Sequence, residues 1–275
     1  MSVLNIAAYK FVDLDDLPTL RAELRETTCA HGLKGTILLA PEGINLFLAG
    51  EPARTEAFLA FLLADARFAG MPIKRSLSDE QPFNRMLVKL KREIITMNRP
   101  DVRPARHPAP RVAPQELKRW LDEGRDVVLL DTRNQFEVEV GTFSGAQKLG
   151  LTSFSQFPAE VRQRAEAWRD KTIVTFCTGG IRCEKAAPFM LDAGFEDVYQ
   201  LDGGILKYFE ECGNAHYEGE CFVFDKRVAL DAELKETGTT QCYACQEVLR
   251  IEDQQSPDYK FGVSCPKCAG RRQAA

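Results

Sequence analysis

The chain has 275 residues, a length that suggests two domains. Its 44% hydrophobic and 28% charged residues exclude a disordered chain, and a net charge of −4 does not mark a nucleic-acid binder. No apolar run approaches the roughly 18 residues of a membrane helix. The opening MSVLNIAAYKFVDLDD lacks the basic start, apolar stretch and cleavage site of a secretory signal, so the expectation is a cytoplasmic protein with no membrane partner. In a reducing compartment, nine cysteines point to catalysis or metal rather than to a disulfide framework.

Residues 1–98 read as a ferredoxin-like α+β domain. A strand over 3–9 is followed by helical spacing over 14–28, through Leu17, Leu20 and Leu24. Apolar runs at 35–40 and 44–49, joined by Pro41-Glu42-Gly43, form a hairpin. A helix over 52–67 carries Phe58, Phe61 and Leu62 on one face, and strands are expected over 73–77 and 86–97. The order β-α-β-β-α-β is the ferredoxin-like arrangement, which many functions use. The stretch 99–114 holds five prolines and several arginines, so 99–112 reads as a linker.

Residues 113–212 alternate: helix 114–123, strand 127–131, helix 159–168, strand 172–176, helix 184–193, strand 198–201. That pattern predicts an α/β domain with a mainly parallel sheet and helices on both faces. Active residues in such sheets gather at the carboxyl ends of strands. Cys177 follows the strand 172–176 directly.

The loop is Cys177-Thr178-Gly179-Gly180-Ile181-Arg182-Cys183-Glu184, with a helix after it. Two glycines allow a tight turn with N–H groups pointing inward, the helix adds a positive N-terminal field, and Arg182 adds a fixed cation. Such settings lower a cysteine pKa from about 8.5 into roughly the 3.5–7.5 range. Cys177 is therefore the candidate nucleophile and Arg182 its electrostatic partner; the alternative is a buried structural thiol. Cys183 either resolves an oxidised Cys177 or is a small buried hydrophobe. Cys29, Cys212 and Cys221 are expected in the core with Trp120 and Trp168, and His31, His107 and His216 are given no role.

Residues 213–275 form a cysteine-rich tail. Cys242-x2-Cys245 and Cys265-x2-Cys268, nineteen residues apart, have the spacing of a tetrahedral four-cysteine zinc site of structural type; two redox dithiols are the alternative. A tail with little core would take folding free energy from the metal.

Between Lys74 and Arg119 twelve Lys/Arg face five acids, so this window is +7 on an acidic protein. It is able to track phosphates, with Lys89 and Lys91 on one face of the strand 86–97 and Arg92 on the other. A solvated surface is the alternative.

The cysteine loop resembles the rhodanese signature, a cysteine followed five residues later by arginine. Asp131-Thr132-Arg133, with Glu137 and Gly145-Ala146, resembles the motif after that domain's first core strand, which assigns Asp131 and Arg133 a supporting role. Leu201-Asp202-Gly203-Gly204 resembles its closing motif. One departure is visible: Gly141-Thr142-Phe143 stands where the family usually has Gly-His-Ile. The whole chain, with Pro41-Glu42-Gly43-Ile44-Asn45, the stretch 219–228 (GECFVFDKRV) and the cysteine-rich tail, resembles the oxygen-dependent tRNA uridine hydroxylases. The N-terminal domain is then acylphosphatase-like. The resemblance implies conversion of the wobble uridine, position 34 in the anticodon loop, to 5-hydroxyuridine. It implies tRNA rather than DNA as partner, O2 as substrate and a reductant whose identity the sequence does not give. No flavin, haem or iron motif is present, so no organic cofactor is expected. A rhodanese-type sulfurtransferase, with a persulfide on Cys177, is the alternative.

Overall fold

The computed structural model describes residues 2–225 and 227–272; Lys226 of the stretch 219–228 lies outside them. The chain divides into two compact units, residues 1–108 and 109–275.

Unit 1 contains β1 (Val3–Phe11), α1 (Leu17–Ala30), β2 (Lys34–Ala40), β3 (Gly43–Gly50), α2 (Pro52–Ala64), β4 (Ile73–Ser78) and β5 (Met86–Leu90). The sheet order is β4-β1-β3-β2-β5. β1 runs antiparallel to β3 and β4, while β5 lies parallel to β2 at the edge. The first four strands give the ferredoxin-like order. Alternate residues Leu4, Ile6, Ile37, Leu39, Ile44, Leu46 and Leu48 face one core, which Leu20, Leu24, Phe58 and Leu62 of the two helices close. Each such side chain contributes about 1.5–3 kcal/mol by leaving water.

Several boundaries differ from the sequence reading for local reasons. α1 starts at Leu17 rather than 14, because Pro18 is tolerated only in a first turn. α2 stops at Ala64, where the Asp65 carboxylate accepts the Arg67 backbone N–H and guanidinium instead of continuing the helix. The expected strand 86–97 ends at Leu90. Lys91 N–H still donates to Leu39 O at 2.8 Å. Carboxylates then replace ladder partners: Glu42 accepts Ile94 N–H at 2.8 Å and Glu93 accepts Met97 N–H at 2.6 Å. Cys29, expected in the core, is exposed near the end of α1. Within the expected linker, Val102 is buried and Arg103 and Arg106 pair with Asp13 of unit 1.

Unit 2 begins with β6 (Arg111–Val112) and continues through α3 (Pro114–Asp122), β7 (Val127–Asp131), α4 (Gln135–Val138), β8 (Gly141–Phe143) and β9 (Gln147–Lys148). Next come α5 (Phe157–Gln163), α6 (Ala165–Trp168), β10 (Thr172–Phe176), α7 (Cys183–Asp192), β11 (Val198–Leu201) and α8 (Gly204–Cys212). Its sheet, β6-β11-β10-β7-β9, is parallel throughout. The expected helix 159–168 is two helices. Arg164 N–H reaches back to Val161 O, and its guanidinium takes the Glu160 carbonyl at 2.9 Å. Trp120, Trp168 and Cys221 are buried, while Cys212 is half-buried.

The cysteine-rich region is knitted into this unit. β12 (Tyr217–Gly219) pairs with β8, and Tyr217 packs edge-on against Phe143 and Phe209 at 5.2 and 4.8 Å. β13 (Cys221–Phe222) pairs with β14 (Ala229–Leu230), and β15 (Thr240–Gln241) with β16 (Val248–Leu249). Two short helices, α9 (Ile251–Gln254) and α10 (Ala269–Arg272), complete it. Among the described residues no helix is long and apolar enough to cross a membrane.

A candidate active-site loop and a candidate metal centre

β10 carries the chain to the carboxyl end of the sheet and releases it at Cys177. The loop is gripped from two sides. The first N–H groups of α8, which lack intrahelical partners, cap it: Ile205 N–H donates to Cys177 O at 3.0 Å and Leu206 N–H to Thr178 O at 3.1 Å. Gly204 has φ +67°, and a Cβ there would stand 2.4 Å from Cys177 O, so the approach needs glycine. On the other side the Thr178 hydroxyl donates to Phe222 O at 3.2 Å.

Gly180, at φ +100°, aims its N–H at Cys177 Sγ, 3.1 Å away. Burial by itself would push the Cys177 thiol up. The hydrogen bond from Cys183, the Arg182 charge and the N–H groups of Arg182 and Gly180 outweigh burial and bring it down to about 6. Burial and the Cys177 sulfur push Cys183 the other way, so it stays a thiol; the Thr132 hydroxyl lies 3.8 Å from its sulfur. Gly179 and Ile181 complete the turn that leads into α7.

Arg182 is itself held. Its Nη1 and Nη2 each lie 3.1 Å from Glu137 Oε1, and Nη2 is 2.9 Å from Oε2. Glu137 is fully buried on α4 and also accepts Asn134 N–H at 3.1 Å. The guanidinium stands 5.7 Å from the centroid of the Phe224 ring.

Asp131 and Arg133 form a second buried pair at 2.6 Å, at the end of β7. Arg133 Nη2 also donates to Gly141 O at 2.6 Å, and Thr142 Oγ1 donates to Asp131 Oδ2 at 2.7 Å. Thr142, at the position where the rhodanese pattern has histidine, thus closes this network. Among the described residues no hydrogen bond links the network to Cys177. These two residues tie β8 to the end of β7.

Cys242, Cys245, Cys265 and Cys268 converge, their sulfurs all within 4.8 Å of one another. Contacts of 3.6 Å (Cys245–Cys265), 3.7 Å (Cys265–Cys268) and 4.0 Å (Cys242–Cys268) suit a tetrahedral ion, since zinc–sulfur bonds of about 2.3 Å place sulfurs about 3.8 Å apart. The hairpin β15–β16 presents the first pair and the turn before α10 the second. The cluster is able to hold a metal ion.

Residues 3–94 match the UPF0176 acylphosphatase-like domain, and residues 113–211 match the rhodanese-like domain. The chain is 57% identical over its full length, and 99% of the relative's, to the tRNA uridine(34) hydroxylase of Cupriavidus necator. It is 54% identical, again over 100% of the chain and 99% of the relative, to that of Ralstonia nicotianae. A solved rhodanese-like domain from Anabaena is 23% identical, covering 40% of this chain and 79% of that one, with a TM-score of 0.34. The chain belongs to the tRNA uridine(34) hydroxylase family.

The structure divides the basic window in a way that charge counting missed. At least seven of its twelve cations are ion-paired: Arg75 with Glu56, Arg99 with Asp101, Arg103 and Arg106 with Asp13, Arg111 with Glu184 and Asp202, Lys118 with Asp122, Arg119 with Glu116 and Glu123. Among the described residues Arg85, Lys89, Lys91 and Arg92 carry no ion pair, and all four are exposed. Lys89 lies on β5, but Lys91 and Arg92 lie beyond it, so the pleat does not set their directions. In this hydroxylase-family chain the residues that sequence reasoning left without a role are Glu137, which anchors Arg182, and Phe222 and Phe224 in the stretch 219–228. Alternating aromatics just past the rhodanese domain were the available signal.

Proposed function

We propose that this chain hydroxylates C5 of uridine 34 in tRNA, with Cys177 as nucleophile and Arg182 as its electrostatic partner. Full-length identity of 57% to a named hydroxylase is the observation that carries this reading. The Cys177 thiolate adds to electrophilic C6 of the uracil. Negative charge then develops on C5 and O4, where Arg182 and the loop N–H groups stabilise it. O2 meets the electron-rich C5. One oxygen atom stays as the hydroxyl and the other leaves as water, so the balance takes two electrons and two protons from an external reductant. Loss of the C5 proton together with departure of Cys177 from C6 restores the C5=C6 double bond. An anticodon loop is single-stranded, so its base can splay into a protein site.

The four-cysteine cluster holds zinc in a structural role, because four sulfur ligands leave no open coordination position. The setting is the cytoplasm, where tRNA is found and thiols stay reduced. Lys89 and Lys91 contact tRNA phosphates.

The test is nucleoside mass spectrometry of tRNA from cells with and without the gene, and from deletion cells carrying the Cys177→Ser variant. 5-Hydroxyuridine that persists in the deletion, or that the variant restores, overturns the assignment. Unchanged tRNA together with sulfur transfer from thiosulfate by the purified protein would mark a persulfide-carrying sulfurtransferase instead.

A further inference from the structure

We propose that Phe224 is a nucleobase shelf, on which the splayed uracil stacks so that its C6 edge is presented to Cys177. This rests on reading the chain as a tRNA hydroxylase. Among the described residues of 109–230, Phe224 is the only strongly exposed large apolar side chain, at 50%. Its exposure is not that of a loose side chain. Phe222 meets the ring edge-on at 5.1 Å and Phe136 at 6.5 Å, and those two rings pack edge-on together at 5.1 Å. The segment that carries it is braced: Val223 N–H donates to Val228 O at 2.8 Å, and Arg227 grips the Asp225 carboxylate at 2.9 and 2.6 Å.

Two links tie this ring to the reactive loop. The Arg182 guanidinium, whose charge lowers the Cys177 thiol, also sits 5.7 Å from the Phe224 centroid. The carbonyl of Phe222, two residues earlier, receives the Thr178 hydroxyl. A ring that is rigid, half open, and beside the same cation as the nucleophile matches a flat, electron-poor heterocycle with polar edges. Stacking accepts the uracil face, and the field of the nearby Arg182 cation favours its carbonyl oxygens. A ring kept only for packing would gain more by full burial.

The experiment compares Phe224→Ala, Phe224→Leu and Phe224→Tyr in the full-length protein. One readout is kcat and KM for 5-hydroxyuridine formation on tRNA; the other is the pH midpoint of Cys177 alkylation. Loss of one base–aromatic stack lowers kcat/KM by between about 5-fold and 150-fold, mostly through KM. The tyrosine variant retains activity within a few-fold, the leucine variant behaves like alanine, and the alkylation midpoint stays put in all three. Wild-type kinetics in the leucine variant would overturn the shelf, as would a shifted midpoint in the alanine variant, because the ring would then act through Arg182. If the wild type forms no 5-hydroxyuridine, the hydroxylase reading fails on its own. The shelf is then judged by Phe224→Trp fluorescence against an anticodon-loop oligonucleotide: quenching that disappears when position 34 is abasic supports it, and no quenching overturns it.

Discussion

The sulfur of Cys177 and the four sulfurs of the tail are both gathered by short turns at the ends of strands, yet their surroundings differ in charge. Cys177 meets one backbone N–H at 3.1 Å and a buried guanidinium that Glu137 holds in place. There the protein itself supplies the positive charge that favours a thiolate. Cys242, Cys245, Cys265 and Cys268 crowd within 4.8 Å of one another, so deprotonating them builds up negative charge that a divalent ion neutralises. The same residue type suits a nucleophile or a ligand according to whether peptide or metal would bring the cation.

The sharpest break between the two sites is chemical. Cys177→Ser should reduce 5-hydroxyuridine to background while leaving metal content at the wild-type value, since serine is nearly isosteric but unreactive without a base. A variant that keeps even a tenth of the product would return Cys177 to a structural role. Next in size is removal of the metal. Chelation, or Cys265→Ser, should release one zinc per chain and open 240–272 to proteolysis, because structural zinc binding supplies about 10–16 kcal/mol in small zinc units. Cys177 alkylation should not change. Metal analysis that finds no zinc in the purified wild type would leave the cluster as free dithiols.

What could be read in advance follows the same division. β7, β10 and β11 match their expected bounds because each is a short apolar run between turn residues, and the placement of Cys177 after β10 follows from that. The four-cysteine cluster was legible because two fixed spacings carry it. Glu137 was named only as part of the rhodanese motif, and its pairing was not legible, since only the fold brings Arg182 to it across 45 positions. The overlong strand 86–97 failed for a related reason. Its apolar pattern continues through Ile94, Ile95 and Met97, but carboxylates 42 and 93 take the backbone N–H groups that a ladder would have used.

Neutralising the Arg182–Glu137 pair tests the source of charge at Cys177. Arg182→Ala alone would strand a buried carboxylate at a cost of about 3–5 kcal/mol, so the Arg182→Gln, Glu137→Gln double variant is the cleaner change. Burial, no longer offset by the cation, should raise the Cys177 thiol from about 6 toward the ordinary value near 8.5. In the wild type the alkylation rate should be level above pH 7 and fall tenfold per unit well below 6. In the variant that fall begins one to two units higher, at about pH 7–8. The linked stability has a definite sign. A depressed thiol stabilises the fold fully above its unfolded value, and that stabilisation is lost as pH falls through about 6. The wild type should therefore gain stability between pH 6 and 8.5 more steeply than the variant. An unmoved midpoint would assign the low thiol to the hydrogen bonds from Cys183 and the backbone N–H groups.

The smallest effect is expected in unit 1, at residues that belong to neither cysteine site. Lys89 and Lys91 are exposed, and no ion pair holds them among the described residues, whereas most other cations of 74–119 are already neutralised. If they meet phosphates, the Lys89→Ala, Lys91→Ala protein should bind tRNA a few-fold more weakly at moderate salt. The slope of log affinity against log salt should flatten by about 0.7 to 0.9 for each phosphate that is no longer neutralised. The change should be similar for different tRNAs, because phosphate contacts carry no base information. Cys177 alkylation and zinc content should stay at wild-type values, which separates this change from damage to either sulfur site. The competing account is that β5 is an edge strand, with Leu90 41% exposed, and that these lysines keep it from pairing with another copy. Binding would then match the parent at every salt concentration while light scattering rises with protein concentration. Because the strand stops at Leu90, Lys91 lies past most of that edge, so the two accounts also divide on single variants: edge protection predicts aggregation from Lys89→Ala alone, and phosphate binding predicts that each lysine contributes to the salt slope.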